Sequence, residues 1–132
     1  DSLDLYNGAG FLYRLDPELV SVLGAVNKKV ARNTATDGGG QDSFSDKVFL
    51  LSRVEVDLGT EGTTTGETVY PYYSGIGDAG RIKLLNGSAR YWWLRSPRVP
   101  FAHFVRGVDT SGSVGINFAR NTYGLAPACC II

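Results

Sequence analysis

An α+β fold is predicted by three observations on this 132-residue sequence. Residues 16–33 carry a helical apolar period, four alternating or apolar runs follow residue 90, and hydrophobic residues make up 43% against 20% charged. That composition suits one folded core, and 132 residues leave room for a single domain spanning 1–132. A long helix ahead of an antiparallel strand series defines the class. Asp16 is placed as N-cap, Pro17 at the first helical position and Glu18 in the first turn, with Leu19, Val22, Leu23, Val26 and Val30 on one face. Lys28, Lys29 and Arg32 then sit at the end where the helix dipole favours cations.

The next segment, Asp37 to Asp46 (DGGGQDSFSD), has no periodicity and reads as a loop. Lys47 to Leu51 is a short buried-strand candidate, and Ser52-Arg-Val-Glu55 fits a capping box opening one or two helical turns. Gly59 to Gly80, rich in Gly, Thr, Tyr and acids, reads as a functional or surface-wrapping loop. Arg81 to Leu85 reads as a helical turn. Tyr91 to Arg95, Ala102 to Val108, Ser113 to Ala119 and Ala126 to Ile131 are expected to form an antiparallel meander, with a tight reversal at Asp109-Thr-Ser-Gly112.

Net charge is zero but unevenly spread: residues 1–80 hold twelve Asp or Glu against six Lys or Arg, and residues 81–132 hold one against seven. Seven cations over 52 positions fall short of a nucleic-acid stripe, so no nucleic-acid partner is expected. The apolar runs are too short to span a bilayer, so no membrane insertion is expected. Asp1 opens the chain without a leader, and the lack of any Met points to the C-terminal part of something longer. Cys129 and Cys130 are adjacent, which rarely satisfies disulfide geometry, and inside an apolar run they read as small buried hydrophobes.

Several chemical motifs fail on context. Gly75-Ile-Gly-Asp-Ala-Gly80 spells a dinucleotide fingerprint, but no βαβ unit surrounds it. His103 is the only histidine, so no metal is expected. Ser96, His103 and Asp109 can be written as a triad, without a nucleophile elbow to support it. Asn86-Gly-Ser88 is a glycosylation triplet, meaningful only in a secreted eukaryotic chain.

Tyr91-Trp-Trp-Leu-Arg-Ser-Pro97 and its sequel are more informative. Adjacent Trp92 and Trp93 on a strand point to opposite faces, so one enters a core and the other covers the far side, and both read as scaffold. Arg95, where that strand must end, is suited to tying down loop carbonyls or a carboxylate. Beyond Pro97 aromatic, basic and amide side chains are interleaved with Gly, Ser and Thr, the mixture recognition surfaces use. Alternation along Ala102 to Val108 leaves neither face purely apolar, so the inside is not assigned by sequence.

Lys47-Val-Phe-Leu-Leu-Ser52, Trp92-Trp-Leu-Arg-Ser-Pro97, the Asp109 to Gly112 turn and Gly124-Leu-Ala-Pro-Ala128, with Tyr6-Asn-Gly8 and Phe11-Leu12 upstream, resemble a bacterial and phage domain family with a C-type-lectin-like fold. The family resembles, and includes, variable proteins of diversity-generating retroelements, in which an error-prone reverse transcriptase rewrites adenines in a C-terminal segment. The resemblance implies a non-enzymatic ligand- or receptor-binding domain of a phage tail or bacterial cell surface, with no cofactor. Its partner would be a cell-surface protein or glycan, and the domain would be a possible homo-oligomer within a larger assembly. The implied variable segment covers about residues 90–124.

Mutagenesis of this kind turns AAY codons into NNY codons, which cannot encode Lys, Glu, Gln, Met or Trp. Residues 1–93 contain eleven of these and Leu94 to Ile132 contain none. Arg98, Phe101, His103, Phe104, Arg106, Gly107, Asn117, Phe118, Arg120, Asn121 and Tyr123 are the candidate varied, ligand-contacting positions. The reading requires His103, Arg106, Asn117 and Arg120 to gather on one accessible patch. No calcium triplet or carboxylate cluster lies in this segment, so binding is expected to need no calcium. Two rivals follow: a relative of formylglycine-generating oxidases, which share the implied fold and use cysteines, or a structural module of a phage particle.

Overall fold

A computed structural model describes residues 11–132, and its architecture corrects the predicted class. Over the described residues the chain is mainly β: four small antiparallel sheets, a 3-10 turn at Phe11–Arg14, and two short helices, α1 (Pro17–Val22) and α2 (Gly77–Arg81). Among the described residues no long N-terminal helix forms, so neither the α+β class nor the helix of the C-type-lectin-like expectation describes them. Tyr6-Asn-Gly8 lies outside the described residues.

The start of the expected helix does form. Asp16 accepts a hydrogen bond from the Glu18 N–H at 2.8 Å, and Pro17 opens α1. Four β-branched valines and Gly24 then work against propagation. The chain leaves the helix at Leu23 and runs as β1 (Leu23–Gly24) and β2 (Val26–Ala31). Leu19 and Val22, expected on a core-facing stripe, are exposed instead.

The segment expected as a loop is half strand. Gly38, Gly39 and Gly40 turn through positive φ, and β3 (Gln41–Asp46) pairs antiparallel with all of β2. Its polarity hid it: Asp42, Ser43 and Ser45 are exposed, and Phe44 packs on the core. β4 (Val48–Leu50) follows, and Ser52 and Glu55 exchange the two hydrogen bonds of a capping box, at 2.9 and 3.2 Å. Arg81 to Leu85 is not a helical turn. It spans the end of α2 and β5 (Lys83–Leu85), which makes a hairpin with β6 (Ser88–Arg90). Asn86 and Gly87, the residues of the glycosylation triplet, sit at φ 52° and 78°, the conformation a two-residue hairpin turn needs.

Three of the four C-terminal strands form the meander: β7 (Trp92–Pro97), β8 (Phe104–Val108) and β9 (Val114–Phe118), in that order. The fourth, β10 (Pro127–Ile131), departs to lie between β1 and β4. The core gathers Phe49, Leu51, Val56, Tyr73, Trp92, Leu94 and Val108, and Trp92 Nε1–H donates to the buried Arg81 carbonyl at 3.1 Å. Trp93 lies on the other face of β7, in edge-to-face contact with Tyr91 and Tyr123.

Candidate functional site

The ladder between β8 and β9 sets out the site. Val108 opposes Val114 over the core, Arg106 opposes Ile116 next, and Phe104 opposes Phe118 at the far end, all on one face. Where the core ends, the last rung opens to solvent. Phe104 and Phe118 lie 4.6 Å apart, His103 stacks on Phe118 at 5.5 Å and 16°, and Phe101 meets Phe104 edge-on at 5.9 Å. The Arg98 guanidinium covers Phe101 at 4.3 Å, and that of Arg120 covers Phe118 at 4.8 Å. Phe101 and Phe118 keep 39% and 37% of their surface exposed. Six of the eleven candidate positions thus form one continuous patch.

The loop carrying Arg98, Phe101 and His103 is held from beneath. Glu61, 6% exposed, accepts the Val99 N–H at 3.1 Å and carries Arg53 at 2.8 Å together with Arg106. Thr34 N–H donates to the Val99 carbonyl at 2.8 Å, and Arg98 N–H to the Phe104 carbonyl at 2.9 Å. Arg95 anchors the strand before the loop. It donates to the Lys29 and Leu50 carbonyls at 2.8 and 2.9 Å and grips the buried Glu55 and Glu67 carboxylates. Lys28 bonds Glu55 at 2.8 Å as well as the Tyr70 hydroxyl.

The other five candidates do not join the patch, which corrects the expectation for Arg106 and Asn117. Arg106 is committed to Glu61 below the sheet. Asn117, one residue before Phe118, points to the opposite face and accepts from Asn121 Nδ2 at 2.6 Å. Tyr123 packs at 4.5 Å on Tyr91, whose ring lies flat on Gly107 and Gly115. The Tyr91 hydroxyl is buried without a hydrogen-bond partner among the described residues, and burial, with Tyr123 and Asp109 nearby, pushes its pKa up to about 12. A Cβ on Gly107 would come within 2.2 Å of the Tyr91 ring. Gly107→Ala is therefore expected to cost about 1–3 kcal/mol in chemical denaturation by displacing that ring. A loss under half a kcal/mol would return Gly107 to the tolerant positions.

Sequence reasoning missed Glu61 and Glu67 and saw Glu55 only as the partner of a capping box. The available signal was the charge asymmetry, because the acids of the first part neutralise the bases of the last: Glu55 and Glu67 on Arg95, Glu61 on Arg106, Asp78 on Arg81. Burial pushes the Glu55 and Glu61 carboxyls up, yet the Arg, Lys and backbone donors outweigh it and hold both below the ordinary range. Their contribution to stability is complete above the unfolded value of about 4.3 and is lost as pH falls through the lower folded values. Glu67 opposes this: burial raises its pKa despite Arg95, so its contribution is present at low pH and lost as pH rises through the raised value. With two carboxyls against one, the urea midpoint is expected to fall on acidification below about pH 4. In Glu61→Gln that fall should be shallower; an unchanged slope would remove Glu61 from the account.

The triad members are engaged apart. Ser96 Oγ accepts the Arg53 N–H at 2.9 Å, Asp109 accepts from Ser111 and Ser113, and His103 stacks in the patch. Cys129 is exposed and Cys130 half-buried, so the buried reading fails for Cys129, which lies on alternating β10 rather than inside the core. Among the described residues no group of three or more His, Cys, Asp or Glu side chains is placed to hold a metal, and no helix is long and apolar enough to cross a membrane.

The mainly β scaffold thus ends, at the Phe104–Phe118 rung, in an exposed aromatic and cationic surface. The chain belongs to the DUF6273 family, described as a domain of unknown function, whose model matches residues 2–132. Neither a curated protein nor a solved structure matches it.

Proposed function

We propose that the protein is a non-enzymatic binding domain that contacts a receptor on a cell surface through the patch of Arg98, Phe101, His103, Phe104, Phe118 and Arg120. The observation that carries this is the continuity of six aromatic and basic side chains on one exposed surface, over a frame that does not use them as core. Aromatic rings and guanidinium groups provide contact area and directional charge with few rotors to immobilise. Loops on a rigid frame tolerate replacement because stability resides elsewhere. The lack of Lys, Glu, Gln, Met and Trp after residue 93 supports diversification of the segment about 90–124 by a retroelement. The reading is narrower than the one the sequence required, because of its four residues only His103 and Arg120 lie in the patch; the variable contacts are confined to the patch, while Arg106 and Gly107 are framework.

Phe101→Ala, His103→Ala and Arg120→Ala together should reduce binding to target cells at least tenfold, with the unfolding midpoint shifted by less than about 1 kcal/mol, as for surface substitutions. Unfolding of this variant, or unchanged binding, would end the proposal. A near-copy of the last forty or so codons, differing at adenines and adjacent to a reverse-transcriptase gene, would establish the source of variation. Its absence would leave the patch but remove the retroelement.

A further inference from the structure

Arg98 and Arg120 are the two patch cations, and among the described residues neither guanidinium has a carboxylate partner. Each contacts only ring faces, Arg98 those of Phe101 and Phe104 and Arg120 that of Phe118. This contrasts with Arg53, Arg81, Arg95 and Arg106, all of which are ion-paired. Beside Arg120 lies a shallow depression of about 510 Å³ lined by Ala102, His103, Phe118, Ala119 and Arg120 itself. Its alanines leave the near-parallel His103 and Phe118 rings accessible.

Part of the backbone of this surface is already used. Arg98 N–H takes the Phe104 carbonyl, Phe101 N–H the Arg98 carbonyl, and Ala119 N–H the His103 carbonyl, at 2.9, 2.9 and 3.0 Å. A peptide reading these loops through its main chain would find those groups occupied. The amides of Asn117 and Asn121 bond each other on the opposite face. The patch offers a ligand the exposed ring surface of Phe101 and Phe118 and two guanidiniums that have no carboxylate partner among the described residues. This suits a chain of pyranose rings bearing carboxylates: the C–H faces of the sugar lie on the aromatics, and the carboxylates meet the guanidiniums bidentately.

Resting on the reading of the patch as the contact surface, we infer that its ligand is an acidic glycan of uronic-acid type. Polygalacturonate and its fully methyl-esterified form share a backbone and differ in charge, so they serve as probes in calorimetric or surface-plasmon titration of the protein. The acid form should bind and the ester at least tenfold more weakly. Arg98→Ala and Arg120→Ala should each weaken acid-form binding about threefold to fivefold, the range of an exposed charge pair. Raising salt from 0.05 to 0.5 M should weaken it further. Phe118→Ala should also weaken it while leaving the salt dependence in place.

Equal binding of acid and ester forms overturns the inference, as does polyglutamate competing as well as polygalacturonate, since charge alone would then suffice. Absence of polygalacturonate binding, with patch-dependent binding to cells intact, overturns the acidic glycan and leaves the proposed contact surface standing. Cell binding unaffected by the patch variants overturns the contact surface itself.

Discussion

Glu55→Gln is expected to destabilise the fold by about 3–5 kcal/mol, lowering the melting temperature by more than about 10 °C. One buried carboxylate serves Arg95, Lys28 and the Ser52 N–H at once, and it is 4% exposed. Glutamine keeps the shape and an oxygen for the capping box but removes the charge, leaving Lys28 without a carboxylate and Arg95 with Glu67 alone in a place that water barely reaches. The loss comes from this under-compensated buried positive charge rather than from the worth of the ion pair itself, which desolvation largely offsets. Differential scanning calorimetry at pH 7 reads the change. A drop below about 1 kcal/mol would mean that Glu67 can take over Arg95 and that the network is redundant. Because Arg95 also ties the Lys29 and Leu50 carbonyls to β7, Glu55→Gln should loosen the entry to the patch loop, which amide exchange at Val99 would report.

Trp92→Ala is expected to cost about 3–5 kcal/mol, through lost apolar burial and a cavity among Phe49, Leu94 and Val108. It also leaves the buried Arg81 carbonyl without its indole donor. Set beside the patch triple variant, this substitution divides the molecule into frame and surface. If the triple variant unfolded and Trp92→Ala did not, that division would be inverted. Trp93, half-buried under Tyr123, should fall between the two.

The features legible in the sequence were those with a local cause. Asp16-Pro17 starts a helix because a side-chain acceptor and a preset φ act within one turn. Ser52 and Glu55 form their capping box for the same reason, and Asp109 turns the chain at Ser111 to Ser113 with its own carboxylate. The strand patterns of β7, β8 and β9 were legible in their apolar and aromatic runs, with their ends shifted by up to two residues. Among the patch residues, Arg98, Phe101, His103, Phe104, Phe118 and Arg120 could be singled out by type, since the chemistry of recognition resides in the side chain.

Pairing decided the rest. Residues 26–31 satisfy a helical apolar period and an extended one equally, and β3, a polar strand without a sequence signature, draws them into a hairpin. Which face of β8 lies inside was open along the chain, and it is settled by Glu61, forty-five residues away, holding Arg106 beneath the sheet. Asn117 and Phe118 part company because neighbours on a strand face opposite ways, so only the register against β8 could place one in the patch and the other behind it. Composition along the chain told that acids precede bases; it took the folded arrangement to show Arg81, Arg95 and Arg106 neutralised from within, with Arg98 and Arg120 carrying no carboxylate partner among the described residues. Helix caps and turns act over a few residues and so can be read locally, whereas ion pairing and strand register join residues distant in sequence and exist only once the chain has closed on itself.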